Sequence, residues 1–528
     1  LPIMQEVEDR SGEATTLNNI GAVYSNIGQP TDAIDLWEDS LDITLDMRAG
    51  LLRENRKAFI ADNRGTAVAL IDLLIKQNQP DRAYEWVNLA STVDLIEFSR
   101  LIDAKVKNPQ AQQEIDQWNQ DNQRLQYLRQ QLQDEFSDSL SRQIRELEAQ
   151  VNADAEAISQ RYPEVAELFE TQPTDIEQLR ASIPQNTVVI QPVILTNVTN
   201  VPNTIALFLL TPNQLTVTQI PVTPEELETQ LSQYRDSVSN RRNSKYREIG
   251  AQLYDWLIRP VEDQIQALSP SQLSIIATGK LRSIPFESLY DAQTNRYLIE
   301  KYPIHYLTRL SAGTREATPL AQTRQLLALG NPVPVDPFAL ESAEIEARRI
   351  AEIFPGSENH LGSSATLDTF KTQAPRFPLL HLATHGCFNP EGCCLRENCD
   401  EENRTIDMEP NTILFANQES FQIAEAATLG LENTELITLS ACETAVATES
   451  GNIEIAGLAY LFERAGARAT IATLWNVDDE ATQELMVVFY QNLGSGMSKS
   501  EALRAAKLQL IEDYGHPFFW SPFILIGY

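Results

Sequence analysis

Two short stretches hold side chains that could do covalent chemistry together. Residues 380–386 read Leu-His-Leu-Ala-Thr-His-Gly, and residues 436–444 read Leu-Ile-Thr-Leu-Ser-Ala-Cys-Glu-Thr. In each, an apolar run of strand character ends on a reactive group, His385 in the first and Cys442 in the second, 57 residues later. A thiol with a pKa of ~8.5 is a poor nucleophile at neutral pH, and a neighbouring imidazole corrects this by taking the proton and later giving it to a leaving amine. The oxyanion formed on an attacked carbonyl needs N–H donors, which the backbones of Gly386 and Cys442 can supply. Glycine at 386 also lets the chain turn with no side chain over the site. A lone cysteine reads as a buried structural thiol. Paired with His385, Cys442 becomes a candidate nucleophile and His385 its general base and acid.

Such a pair needs a fold that brings two strand ends side by side. From Pro173 onward, short apolar runs recur at 187–190, 205–210, 273–277, 326–329, 379–383, 436–439 and 469–474. Helical patterns lie between many of them, such as 342–353 and 453–465. This alternation predicts an α/β region with a largely parallel sheet covered by helices on both faces. Ligands of such sheets bind outside the carboxyl ends of the strands, which is where His385 and Cys442 fall.

The N-terminal third has a different texture. Leu17, Ile20, Gly21, Tyr24, Ala33 and Trp37 have the spacing of a helix–turn–helix repeat, with Asn26 to Pro30 as the turn. A weaker copy has Gln79-Pro80-Asp81-Arg82-Ala83, Trp86 and Ala90, and Leu1-Pro2-Ile3 echoes Leu41-Asp42-Ile43. The pattern resembles tetratricopeptide repeats (TPRs), whose stacked hairpins form binding surfaces. On this reading the chain begins within a repeat and is the C-terminal part of a longer protein. From about 108 to 172, Leu125, Leu128, Leu132, Phe136, Leu140, Ile144 and Leu147 recur at helical spacing among Gln, Glu and Arg. They predict a long amphipathic helix, coiled-coil-like in part, as an intramolecular hairpin or spacer rather than a dimerisation zipper.

Bulk properties narrow the function. The 528 residues carry 74 Asp and Glu against 41 Lys and Arg, a net charge of −33. That balance argues against nucleic-acid or anionic-membrane binding, and no apolar run is long enough to span a bilayer. Five cysteines, few and odd in number, make a reducing, cytoplasmic setting the default.

The blocks His381 to Gly386, Leu439 to Thr444 and Ala472 to Asp479 closely resemble the CHAT family of caspase-like peptidases. Supporting matches are 281–289, 328–332, 344–347 and 516–523, so the resemblance spans about 173–528. It implies an α + α/β protein: TPR-like helices at 1–107, a helical spacer at 108–172, and a caspase-like domain at 173–528 divided near 325. It also implies a cysteine endopeptidase with a Cys442–His385 dyad, acting on protein substrates without metal or organic cofactor. In the wider group a carboxylate after the catalytic cysteine often lines the S1 pocket. The matching residues are Asp479, then Asp478, and they imply cleavage after Arg or Lys. The same two residues precede a helix, where Asp is a favoured N-cap, so a capping role stands beside the pocket role. Where most relatives have Gly after Cys-Glu-Thr, this chain has Ala445, a mark against activity if that position needs a positive φ. The rival reading is a catalytically silent scaffold that binds partners through its TPR helices.

Four cysteines, Cys387, Cys393, Cys394 and Cys399, crowd into the segment after His385. Their spacing does not match a zinc knuckle. A plain mobile loop is the expectation, with a bridge from Cys393 or Cys394 to Cys399 as the alternative.

Overall fold

A computed structural model describes residues 1–6, 9–48, 53–134, 137–169, 172–311, 325–333, 338–388, 392–394, 406–440, 453–475 and 478–528. The chain divides into two compact units, residues 1–101, 106–179 and 194–204 in one and residues 102–105, 180–193 and 205–528 in the other.

The first unit is helical. After α1 (Pro2–Glu6), helices α2 (Arg10–Asn26) and α3 (Pro30–Arg48) form one hairpin, and α4 (Arg53–Lys76) and α5 (Pro80–Leu101) form another. The turns are made by Gly28 at φ +80° and Asn78 at φ 56°, residue types that accept left-handed backbone. Gly21 lies where α2 meets α3: a β-carbon there would fall 2.8 Å from the Trp37 ring, whose Nε1 donates to the Asn18 carbonyl. Ala33 and Ala83 are fully buried at equivalent places in the two hairpins. Trp86 and Arg82 both donate to Glu38, which ties the second hairpin to the first. Beyond them, α6 (Pro109–Asp134) and α7 (Asp138–Arg161) fold against each other. The leucine stripe of the sequence is split between the two: Leu125 and Leu132 of α6 face Ile144 of α7 in one apolar cluster. Phe136 lies outside the described residues.

The second unit is built on a sheet of eleven strands among the described residues. In chain order they are β1 (Thr187–Leu195), β2 (Thr204–Leu210), β3 (Leu215–Pro221), β4 (Gln272–Ile275), β5 (Ile304–Tyr306) and β6 (Leu326–Gly330). Then come β7 (Glu358–Leu361), β8 (Leu379–Ala383), β9 (Leu436–Leu439), β10 (Ala469–Thr473) and β11 (Phe523–Gly527). Their spatial order is β3-β2-β1-β4-β5-β11-β10-β9-β8-β6-β7. Pairing is parallel from β1 through β4 and β5 to β11, and again from β10 through β9, β8 and β6 to β7. The two runs meet at one antiparallel pair, β10 with β11.

Strands β6, β8, β9 and β10 are buried along their whole length, as expected of parallel strands covered on both faces. Helix α8 (Glu341–Ala351) lies on β6 and β8 and packs on α10 (Asp479–Gly494). Gly330 allows this approach, since a β-carbon there would sit 2.9 Å from the Ala343 carbonyl oxygen. Helices α9 (Ile453–Ala465) and α11 (Lys499–Tyr514) complete the layers used below. The expected fold class, helical N-terminal region followed by a largely parallel α/β sheet, is the one found.

Candidate active site

Strands β6, β8, β9 and β10 run parallel, so their carboxyl ends open on one edge of the sheet. From that edge the chain enters the segments carrying Phe338, His385, Cys442 and Asp479 respectively. Strand pairing continues to the rim: Asn331 N donates to the Ala383 carbonyl and Ser440 N to the Leu382 carbonyl. Cys442 and Ala445 lie outside the described residues.

His385 is half-buried and its backbone is held on both sides. Leu414 N donates to the His385 carbonyl at 2.9 Å, and Thr384 Oγ1 donates to the Leu414 carbonyl at 2.6 Å. Gly386 then stands opposite Ile413 in a short antiparallel ladder. Because 385 and 414 are hydrogen-bonded, Gly386 occupies the alternate, non-bonded position, and its N–H points out of that ladder. The imidazole Nε2 lies 2.9 Å from the Phe338 carbonyl oxygen. A carbonyl only accepts, so Nε2 carries the proton and the neutral ring presents Nδ1 as its lone pair. Burial pushes the His385 pKa below its ordinary value; the Phe338 carbonyl and the charge of Asp479 pull the other way. The ring is therefore a neutral base near pH 7.

Phe338 is itself positioned. Asn331, at φ 48°, accepts from Leu340 N at 2.9 Å, which ties the residue after β6 to the residue before α8. The Phe338 side chain packs on an apolar cluster of Cys387, Ile406, Met408 and Leu414, with Val333 and Cys393 at its border. Cys387 and Cys393 in that cluster are disulfide-bonded. This corrects the expected pairing, since Cys393 joins Cys387 and not Cys399, which lies outside the described residues. The plain loop is corrected too: Gly386–Cys387 pairs with the strand 412–414, and Cys393–Cys394 pairs with Asp407–Met408. These ladders bring Cys387 and Cys393 within bonding reach.

The two acids after β10 have different settings. Asp478 is the N-cap of α10, accepting from Ala481 N at 3.3 Å, and its other oxygen lies 3.6 Å from Arg241. Asp479, the first residue of the helix, is open to solvent on one side and crowded by protein on the other. That partial desolvation and the charges of Asp478 and Glu346 raise its pKa, while His385 lowers it. The fields of Asp479 and His385 thus act on each other.

Beneath the rim, His381 does not face the site. It is fully buried in β8, with Nε2 2.6 Å from Glu346 Oε1 of α8 and Nδ1 3.2 Å from the Tyr490 hydroxyl of α10. Sequence reasoning missed three participants. Phe338 acts through a backbone carbonyl, which no side chain announces. Tyr490 has no motif around it. Glu346 did leave a signal: a carboxylate inside one of the blocks shared with the CHAT family, on a buried helix face.

The family model for the CHAT domain matches residues 247–528, more than half of the chain. Tetratricopeptide repeat protein 28 of mouse is 26% identical over 338 residues, covering 55% of this chain and 14% of that protein. Its human counterpart is 25% identical over 323 residues, covering 52% and 13%. The chain thus spans about a seventh of the length of these curated relatives. Among solved structures, Saccharomyces cerevisiae separase in complex with securin has a TM-score of 0.49 at 10% identity, over 99% of this chain and 40% of that one. The Arg-specific cysteine proteinase gingipain R has a TM-score of 0.35 at 10% identity, over 57% and 75%. Among the described residues no helix is long and apolar enough to cross a membrane. With the matched region holding β4 to β11 and the rim that carries His385, the chain belongs to the CHAT-domain family.

Proposed function

We propose that this protein is a caspase-like cysteine endopeptidase in which Cys442 attacks the scissile carbonyl and His385 serves as base and then acid. The observation that carries this reading is the His385–Phe338 hydrogen bond. It leaves Nδ1 as the free lone pair, at the carboxyl end of β8, beside the strand from which Cys442 follows. Nδ1 takes the thiol proton, the thiolate adds to the carbonyl, and the same nitrogen returns the proton to the leaving amine. The N–H groups of Gly386 and Cys442 receive the oxyanion. Water then hydrolyses the acyl-enzyme, with His385 again as base.

Asp479 is assigned as the carboxylate that selects Arg or Lys at P1. It is reachable from solvent, and burial with the charges of Asp478 and Glu346 raises its pKa, a setting in which the carboxylate gains from a cationic P1 side chain. Asp478, engaged by its cap and by Arg241, holds the start of the helix beneath it. The regions 1–107, 108–172 and 173–528 act as recruiting repeats, spacer and peptidase. The acidic chain suits partners and substrates with basic segments.

The test is cleavage of fluorogenic peptides bearing Arg, Lys, Asp, Met or Leu at P1, by wild type and by Cys442→Ala. The expected result is cleavage after Arg and Lys that is lost in the variant. Cleavage after another residue would keep the dyad and remove Asp479 from the pocket. No cleavage by wild type, alone or with a bound partner, would leave binding through the helical repeats as the function.

A further inference from the structure

The rim of the sheet rests on a row of polar side chains that the proposed chemistry does not use. His381 of β8 and Thr438 of β9 are direct partners across the parallel pair. Each stands four residues before a member of the proposed dyad, His381 before His385 and Thr438 before Cys442. Between the two helices that cover this face, four groups join in a line. Glu346 Oε1 of α8 lies 2.6 Å from His381 Nε2, His381 Nδ1 lies 3.2 Å from the Tyr490 hydroxyl, and that hydroxyl lies 2.8 Å from Thr438 Oγ1. Thr438, His381 and Tyr490 are fully buried and Glu346 is 1% exposed.

With Glu346 taken as a carboxylate and His381 as a neutral ring, the donors follow from counting hydrogens. The Glu346 carboxylate accepts, so Nε2 of His381 donates. A neutral ring then accepts at Nδ1, so the single Tyr490 hydrogen goes there. The Tyr490 oxygen is left to accept from Thr438. The row therefore runs one way, from Thr438 through Tyr490 and His381 to Glu346, with each hydrogen used once.

Stability alone is a weak reason for a buried row of this kind, since replacing such groups with apolar residues of similar volume is often neutral or stabilising. What hydrogen bonds add over apolar contact is direction. Here they fix β8 against β9 at the last but one register of the pair, and they fix α8 and α10 to both. Helix α10 begins with Asp479, and α8 follows directly on the segment that carries Phe338. Every group at the rim is thus one short stretch of chain away from this row.

We propose that Thr438, Tyr490, His381 and Glu346 are positioning residues, a one-way hydrogen-bonded row that sets the spacing of the Cys442–His385 dyad from beneath. The inference rests on the dyad reading, so its test needs no substrate. The rate of Cys442 alkylation by iodoacetamide at pH 7 is followed by mass spectrometry of the peptide spanning Cys442, in the full chain. The proteins compared are wild type, His385→Ala, Thr438→Val, Thr438→Ser and Tyr490→Phe, with the fold of each checked by circular dichroism. His385→Ala is expected to slow alkylation about tenfold or more, toward the few per cent thiolate of a free cysteine. Thr438→Val and Tyr490→Phe are expected to move most of that way while remaining folded, and Thr438→Ser, which keeps the hydroxyl, to stay within about twofold of wild type. A thiol that responds to His385→Ala but not to Thr438→Val or Tyr490→Phe would overturn the positioning role alone. A thiol indifferent to His385→Ala would overturn the dyad, and this proposal with it.

Discussion

At His385 two environmental effects oppose each other, and the balance fixes what the ring does. Burial favours the neutral imidazole, while the Phe338 carbonyl and the carboxylate of Asp479 favour the imidazolium. Replacing Asp479 by Asn removes part of the second effect, so the His385 pKa falls and the neutral base survives to lower pH. The acid limb of the kcat/KM profile of Asp479→Asn is expected to lie at lower pH than that of wild type, alongside a loss of preference for basic P1 residues. A limb shifted upward would contradict the sign of the interaction. His385, Gly386 and Asp479 were legible as residue types at strand ends, because reactive side chains at such places have few structural uses. The hydrogen bond that sets the tautomer was not legible, because any residue can offer a carbonyl. The cysteine segment was read as a plain loop, with Cys399 as the partner in the alternative bridge, because spacing does not reveal the strand pairing that brings Cys387 to Cys393.

The elements carrying the site were readable from hydrophobic pattern. Strands β6, β8, β9 and β10 are short, mainly apolar runs, which suits burial on both faces. What pattern could not give was how closely a helix approaches a strand. Gly330 ends β6 beneath α8, and a β-carbon there would meet the Ala343 carbonyl at 2.9 Å and the Ala347 β-carbon at 3.0 Å. Gly330→Ala is therefore expected to push α8 outward, destabilising the protein by about 1–3 kcal/mol. Because α8 carries Glu346 and follows Phe338, activity should fall by more than the loss of folded protein explains. Thermal denaturation and kcat measured on the same preparation separate the two effects. The leucine stripe at 125–147 shows the converse limit. Its period is continuous, yet the chain breaks it into two facing helices, since heptad spacing specifies a seam and not how many helices share it.

Across the whole second unit, the two parallel runs of the sheet are joined by β11, and a buried ion pair secures that joint. Lys507 of α11 is fully buried and donates both to Glu287 and to the Phe523 carbonyl at the start of β11, while the Tyr306 hydroxyl of β5 also donates to Glu287. Lys507→Met would leave the Glu287 carboxylate buried without its cation, at a cost of about 3–5 kcal/mol. Adding Glu287→Gln should recover much of that loss, as chemical denaturation of the single and double variants would show. Thus the block at 281–289, which on sequence counts as family resemblance, is in the fold a structural fastening at the start of β11, where Phe523 pairs with Thr473 at the carboxyl end of β10. The position of β11 has a consequence in time. It is the last strand in chain order yet lies at the centre of the sheet, between β5 and β10. During synthesis both halves can collect their strands, but they remain separate, each with an open edge, until residues 523–527 leave the ribosome. The rim carrying His385 belongs to the half that closes last, so a chain stalled upstream of Phe523 cannot complete the unit that supports it.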